Sequence, residues 1–283
     1  MKLKLAVIGY GNLGKSLEKE IEKNNGTELA AIYSRRYLDN PKYRPLNEIE
    51  KADDFDAALI ALGSYGDVMN YAEKFKNFDT VDSFDTHAEI SKYKSNLEAI
   101  KPDRISIIST GWDPGLLSLA RAALGTAADE ITTVWGKGIS QGHSNAVRTL
   151  DGVLDAVQFT LPNGDCEKKI RAGITDGAKL HKRLCYVAAI ESDKEKIERE
   201  IKSMRHYFDE YETEVRFVTP QEVRELKKQT SHIGQVFTAG DGFTAKARID
   251  LDCNADFTAK IMLRYALALP RLKADGYKRA LDV

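Results

Sequence analysis

The residues Gly9-Tyr10-Gly11-Asn12-Leu13-Gly14 set three glycines at G-x-G-x-x-G spacing, directly after an apolar run and at the start of a helical pattern. The glycines serve different ends. The first permits a tight turn, the second lets backbone approach a pyrophosphate, and the third lets helix and strand pack closely. Helix-terminal N–H groups then face the phosphate charge. An ordinary tight strand-to-helix turn carries similar glycines, but strand, helix and position in the chain agree on a dinucleotide site. An NAD site usually has a carboxylate about 20 residues further on, to accept from the ribose 2′-hydroxyl. This chain has Ser34-Arg35-Arg36 there. No acid repels a 2′-phosphate, and two guanidiniums are placed to pair with it, so the expected cofactor is NADP. The plainer reading is two solvated arginines on a loop. Gly63, Ser64 and Tyr65, beyond a third apolar run, complete the candidate cofactor contacts.

Two more segments concentrate polar groups. One is Asp82-Ser83-Phe84-Asp85-Thr86-His87, and the other is Ser109-Thr110-Gly111-Trp112-Asp113-Pro114-Gly115. Both follow strand patterns, and open α/β sheets place ligands beyond the carboxyl ends of their strands. Asp85 and Asp113 are therefore candidates for holding a cation or moving a proton. Both also have a structural reading. Asp85 precedes a helical pattern and reads as an N-cap; Asp113 with Pro114 reads as an N-cap with proline at N1. A cap does not exclude a substrate contact, because a carboxylate has two oxygens.

The stretch Trp135-Gly136-Lys137-Gly138-Ile139-Ser140-Gln141-Gly142-His143-Ser144 reads either as a glycine-rich loop offering amides to an anion or as a surface connection. His181, Arg183 and His232 are candidate partners for carboxylates, against the ordinary role of a lone histidine as a structural residue. The 5 histidines show no metal-ligand spacing with one another or with the cysteines, so no metal site is expected. No G-x-S-x-G appears, which disfavours covalent hydrolysis.

The elements that must position these residues fall into two styles. Residues 5–9, 29–33, 57–61, 80–82 and 105–109 read as buried strands, alternating with amphipathic stretches such as 13–23, where Leu13, Leu17 and Ile21 share a face. That order predicts an α/β Rossmann domain, a parallel sheet with helices on both faces. After about Gly125 the style changes. Residues 243–251 alternate apolar and polar strictly, as an antiparallel strand with one wet face does. Residues 130–135, 183–189, 212–218 and 234–238 read as further strands, and 194–205 and 221–228 as helices. The expected organisation is a cofactor domain over residues 1–124 and an α+β substrate and dimerisation domain over 125–254, with a mixed or antiparallel sheet. The segment 255–283 is expected to return as a helix packed on the first domain.

Composition narrows the class. A 283-residue chain with 42% hydrophobic and 30% charged residues suits two globular domains. Lys and Arg number 42 against 43 Asp and Glu, which argues against nucleic acid or a membrane surface as partner. No apolar run spans a bilayer, and the N-terminal apolar run is broken by glycines without a cleavage site, so no signal peptide is expected. Cys166, Cys185 and Cys253 lie far apart and read as reduced thiols of a cytoplasmic protein.

Taken together, the motifs resemble the meso-diaminopimelate dehydrogenase family. The likeness is carried by Gly9 to Gly14, Tyr33-Ser34-Arg35-Arg36, Val81-Asp82-Ser83-Phe84-Asp85-Thr86-His87 and Ser109-Thr110-Gly111-Trp112-Asp113-Pro114-Gly115. Further on it is carried by Trp135-Gly136, Ser140-Gln141-Gly142-His143-Ser144, Gln158-Phe159-Thr160-Leu161-Pro162, His181-Lys182-Arg183 and Asn254-Ala255-Asp256-Phe257-Thr258-Ala259. They run nearly end to end in one order. The resemblance implies NADP-dependent oxidative deamination of meso-diaminopimelate to L-2-amino-6-oxopimelate, by a cytoplasmic homodimer serving lysine and cell-wall precursor supply. By position it implies that Asp85, Trp112 and Asp113 surround the D-centre, with Asp85 and Asp113 as the catalytic acids. Trp135, Gln141, Gly142, Thr160, Arg183, His232 and Asn254 would hold the rest of the substrate. The chain stops inside the pattern matching Gly276 to Val283, where the family usually continues with a tail, and the loop Thr230-Ser231-His232-Ile233-Gly234 is less glycine-rich than the family's. Two other readings stay open on the residues alone: a related reductase for another amino or oxo acid, and an NADP(H) sensor without chemistry.

Overall fold

Short runs of apolar residues exposed on neither side make the sheet of the first unit. The computed structural model describes residues 2–64, 67–128, 130–205, 207–240 and 242–283. The chain divides into two compact units, Met1–Leu119 with Ala255–Val283, and Ala120–Asn254. In chain order the first unit begins with β1 (Leu3–Ile8), α1 (Asn12–Lys23), β2 (Thr27–Ser34), β3 (Tyr43–Pro45), β4 (Ala57–Ile60), α2 (Asp67–Tyr71), β5 (Asp79–Asp82), α3 (Ile90–Ile100) and β6 (Ile105–Ile108). Helix α4 (Leu116–Gly125) carries the chain across the unit boundary.

The second unit holds β7 (Thr132–Trp135), β8 (Gly138–Ile139), α5 (Gln141–Arg148), β9 (Val153–Pro162), α6 (Cys166–Arg171), α7 (Gly177–Leu180) and β10 (His181–Ala189). It continues with α8 (Lys194–Lys202), β11 (Glu212–Phe217), α9 (Pro220–Leu226), β12 (His232–Gly240) and β13 (Phe243–Leu251). Then α10 (Asn254–Ala274) and β14 (Arg279–Asp282) close the first unit.

The first unit's sheet runs β14-β6-β5-β4-β1-β2-β3, and all its pairings are parallel. Strand order reverses beside β1, the switch point where doubly wound folds bind nucleotides. Alternation along β1 sends Ala6 and Ile8 to one face with Phe75, Tyr93 and Leu97, and Leu5 and Val7 to the other with Leu17, Ile21 and Met262. Thus α3 covers one face, and α1 with α10 covers the other. Ser16 of α1 donates to Asp256 of α10 at 2.6 Å, and Lys273 pairs with buried Asp79 at 2.7 Å.

The second unit has a four-stranded mixed sheet, β11-β10-β9-β8, and a three-stranded antiparallel sheet, β13-β12-β7. One face of the larger sheet packs Ala156, Cys185 and Val187 against Ile197 and Ile201 of α8; the other packs Val157, Phe159 and Leu184 against Val223 of α9. Strand β9 has five consecutive buried residues, 156–160, so it shows no alternation and sequence periodicity passes over it. Among the described residues no helix is long and apolar enough to cross a membrane.

Candidate active site

The glycine-rich turn leaves β1 with Gly9 at φ +96°, and a Cβ there would lie 2.5 Å from the Ala61 carbonyl oxygen. A Cβ on Gly14 would lie 2.1 Å from the Gly9 oxygen, so α1 and β1 approach more closely than any side chain allows. Gly11 is different: a Cβ there would meet nothing within 4 Å. The backbone at Gly11 therefore faces open space, and no side chain caps α1. First-turn amides of a 12-residue helix beside a bare glycine are suited to a pyrophosphate. Tyr10 turns away to donate to Glu18, and burial with that carboxylate pushes its hydroxyl up to about 12.

At the end of β2, Ser34 is buried and its hydroxyl accepts from the Arg36 amide at 3.1 Å. Arg35 makes a two-pronged ion pair with Asp67, at 3.0 and 2.9 Å, while Arg36 projects into solvent. With side-chain exposures of 57% and 35% that pair is well screened, so a 2′-phosphate can replace the carboxylate with little loss. Beside Ser34 and Arg35 a cavity of about 350 Å³ is lined by Pro45, Leu46, Asn47, Tyr71 and Lys74. The residues present fit a phosphorylated dinucleotide. Gly63 and Ser64 lie at the carboxyl end of β4; Tyr65 lies outside the described residues.

Neither acid is a helix cap. Thr86 precedes the 3-10 segment His87–Glu89, and Glu89 precedes α3, so Asp85 stands clear of both helix starts. Its amide instead donates to the Ser64 hydroxyl at 3.0 Å, which joins the β4 and β5 exits. Asp113 precedes a cis bond to Pro114, and α4 begins only at Leu116. The proline is thus outside the helix, and the expected N1 placement is corrected. The Asp113 side chain is 4% exposed, and its Oδ2 lies 3.9 Å from Nε2 of His87, whose side chain is 61% exposed. Asp85 and Asp113 thus leave adjacent strands, β5 and β6, of one sheet.

In the second unit the stretch expected to be a glycine-rich loop is the end of β7, the short β8 and the first turn of α5. Ser140 is the N-cap, and Gln141 and Gly142 occupy the exposed first turn, where a Cβ on Gly142 would meet nothing within 4 Å. Register sets Arg183 of β10 opposite Thr160 of β9, and Arg183 donates to the Thr160 hydroxyl. Both are buried. Tyr211, which sequence reasoning passes over, lies under the Arg183 guanidinium at 4.0 Å. Arg183 Nε and Gln158 Oε1 are buried without a hydrogen-bond partner among the described residues. An unpaired guanidinium N–H at this depth calls for an anionic or carbonyl acceptor.

His181 is not a carboxylate partner. Its Nε2 accepts from the Trp135 amide at 2.8 Å and its Nδ1 lies 2.9 Å from the Gly177 oxygen, so both nitrogens serve the fold. His232 has its nitrogens 3.0 Å from the Thr230 oxygen and 2.9 Å from the Ile139 oxygen. Trp135 sits at the end of β7 opposite Gly234, and Asn254 opens α10.

A parallel sheet with a glycine cradle at its switch point and an α+β second unit define a dinucleotide-binding oxidoreductase fold. Comparison with known proteins makes the class narrower. Residues 111–256 match the family model described as the diaminopimelic acid dehydrogenase C-terminal domain. The chain is 40% identical to meso-diaminopimelate D-dehydrogenase of Corynebacterium glutamicum, over 99% of this chain and 92% of that one. It is similar to the solved structure of the C. glutamicum enzyme in complex with DAP, with TM-score 0.90, 36% identity, and coverage of 99% and 92%. It is also similar to an engineered D-amino acid dehydrogenase bound to NADP+, with TM-score 0.87, 36% identity, and coverage of 100% and 93%. The chain belongs to the meso-diaminopimelate D-dehydrogenase family.

Proposed function

We propose that this chain oxidatively deaminates the D-centre of meso-2,6-diaminopimelate to L-2-amino-6-oxopimelate, reversibly, releasing ammonia and forming NADPH. The observation that carries the reading is a phosphate cradle bearing Arg35 and Arg36 on the same sheet as two acids, Asp85 and Asp113, at neighbouring strand ends. Bound NADP+ supplies the hydride acceptor.

The protein supplies charge and orientation. Asp85 and Asp113 hold the ammonium of the D-centre, and one of them takes its proton, because only the neutral amine has a lone pair to form the C=N bond as the α-hydrogen leaves. Trp112, between those acids in sequence, packs against the same centre. Water then adds to the imine carbon, and ammonia departs as the keto group forms. The distal amino acid carries one carboxylate and one ammonium. Arg183, held by Thr160, and the Gln141–Gly142 amides suit the carboxylate. Trp135 and Asn254 complete that grip, with His232 joining it only by turning a ring nitrogen away from the Thr230 or Ile139 carbonyl.

The same reading carries a homodimer in the cytoplasm, acting in lysine and diaminopimelate biosynthesis, with neither nucleic acid nor membrane as partner. Separated free thiols and a formal net charge of -1 support it. The test follows NADP+ reduction with each diaminopimelate isomer. The meso isomer is expected to give turnover, and the L,L isomer, which has no D-centre, almost none. Equal rates with both, or none with meso, would remove the assignment.

A further inference from the structure

Asp82 ends β5 inside the protein, 2% exposed, and the chemistry described above does not use it. Its carboxylate receives the Phe84 amide at 3.0 Å through Oδ1 and the Tyr93 hydroxyl at 2.8 Å through Oδ2. Its backbone carbonyl receives both the Thr110 amide at 3.0 Å and the Thr110 hydroxyl at 2.7 Å. Phe84 and Tyr93 stack at 4.5 Å and close the site over. One residue therefore gathers donors from just past β5 and just past β6, at the points where the two turns leave the sheet.

We propose that Asp82 is a positioning residue, whose carboxylate and carbonyl together hold the turn bearing Asp85 and the turn bearing Asp113 at one spacing, so that both acids meet one ammonium. The proposal rests on the functional reading above.

Two features argue that this arrangement serves the site and not the core. A buried carboxylate loses its hydration, and its hydrogen bonds to Phe84 and Tyr93 offset that cost only in part. Burial accordingly pushes the Asp82 carboxyl up to about 6, against the pull of its hydrogen bonds. Ser109, at the other turn, has φ +60° without being glycine, and its hydroxyl is buried with no partner among the described residues. Both conditions are unfavourable and sit together where β6 hands over to the Asp113 turn. A chain selected for stability alone would place glycine at Ser109.

Asp82→Asn and Tyr93→Phe test this with substrate deuterated at the D-carbon. Asparagine keeps one acceptor oxygen but loses the charge and the second acceptor. Phenylalanine keeps the ring packing and removes one donor, which covers the case in which Asp82→Asn does not fold. In Asp82→Asn, kcat is expected to fall about tenfold or more, since small misplacement of reacting groups has that effect. Tyr93→Phe is expected to fall less. In both, the deuterium isotope effect on kcat/KM should rise as the bond-breaking step becomes slower than its neighbours. The Kd for NADP+, read by calorimetry, should stay within about twofold of the unaltered protein, because the cradle is a separate group of contacts. Unchanged kcat and isotope effect in both variants would overturn the proposal. So would loss of NADP+ affinity in proportion to kcat, the mark of general disruption. If the unaltered chain shows no turnover with meso-diaminopimelate, the functional reading fails before any variant is read.

Discussion

Arg35 already holds a carboxylate, so in the proposed function selection of the extra phosphate is an exchange at one guanidinium. Asp67 occupies both prongs at 3.0 and 2.9 Å, in a pair open to solvent, while Arg36 stands exposed beside it. A dianionic phosphate offers three acceptor oxygens where Asp67 offers two. Replacing Arg35 and Arg36 together by alanine should weaken NADP+ by about 10- to 100-fold, the loss of one or two charge-assisted hydrogen bonds. NAD+, which lacks the phosphate, should change by less than about threefold; equal losses for both cofactors, measured by titration, would refute the role. Residue identity alone was enough to single out these arginines and the glycines as candidates, because their chemistry is local. It could not find the Ser64 hydroxyl's partner, the Asp85 amide, or Tyr211, which meets Arg183 only through the fold. The capping reading of Asp113 fails for a local reason: α4 begins at Leu116, beyond the cis proline.

Elements set these residues in place by close approach. Gly14 lets α1 lie against the Gly9 carbonyl, where a Cβ would stand at 2.1 Å from a backbone oxygen that cannot swing aside. Gly14→Ala should cost on the order of 1–3 kcal/mol of stability and weaken NADP+ with it, read by denaturant melts and calorimetry. A stable variant with unchanged affinity would mean the turn relaxes freely. In the second unit α5 contributes a pH response. His143 lies beside Ser140 Oγ at 2.7 Å and edge-on to Phe208, and burial with the nearby Arg183 charge lowers it from 6.5 to about 4. Between pH 6.5 and 4 the unfolded chain binds the proton and the folded one does not, so stability is full above that window and declines as pH falls through it. His143→Gln should flatten that part of the melting-temperature profile, and a profile parallel to the unaltered chain would exclude His143 as its source. Legibility at this scale followed burial. Strands β1, β2, β4 and β6 announce themselves as apolar runs, and β13 by alternation. Strands β3 and β14 are short edge additions of three and four residues, and β8 has two, too little pattern to read.

At the scale of the molecule, the chain leaves its cofactor unit through α4, builds the second unit, and returns through α10 to add a seventh strand beside β6. The α/β class and the family were readable because ordered motifs extend along the whole chain, and the C. glutamicum relative aligns with 99% of it. How the side chains bond was not readable, because it depends on pairs such as Asp82 with Thr110, 28 positions apart. One chemical event is central to all of this: a hydrogen leaves the D-carbon of a diamino diacid for the nicotinamide ring. The most direct measurement uses meso-diaminopimelate carrying deuterium only at the D-carbon, with the recovered NADPH analysed by mass spectrometry. The label should appear in the nicotinamide, one deuterium per turnover, and none from substrate labelled only at the L-carbon. Deuterium released to water, or transferred from the L-carbon, would contradict the account.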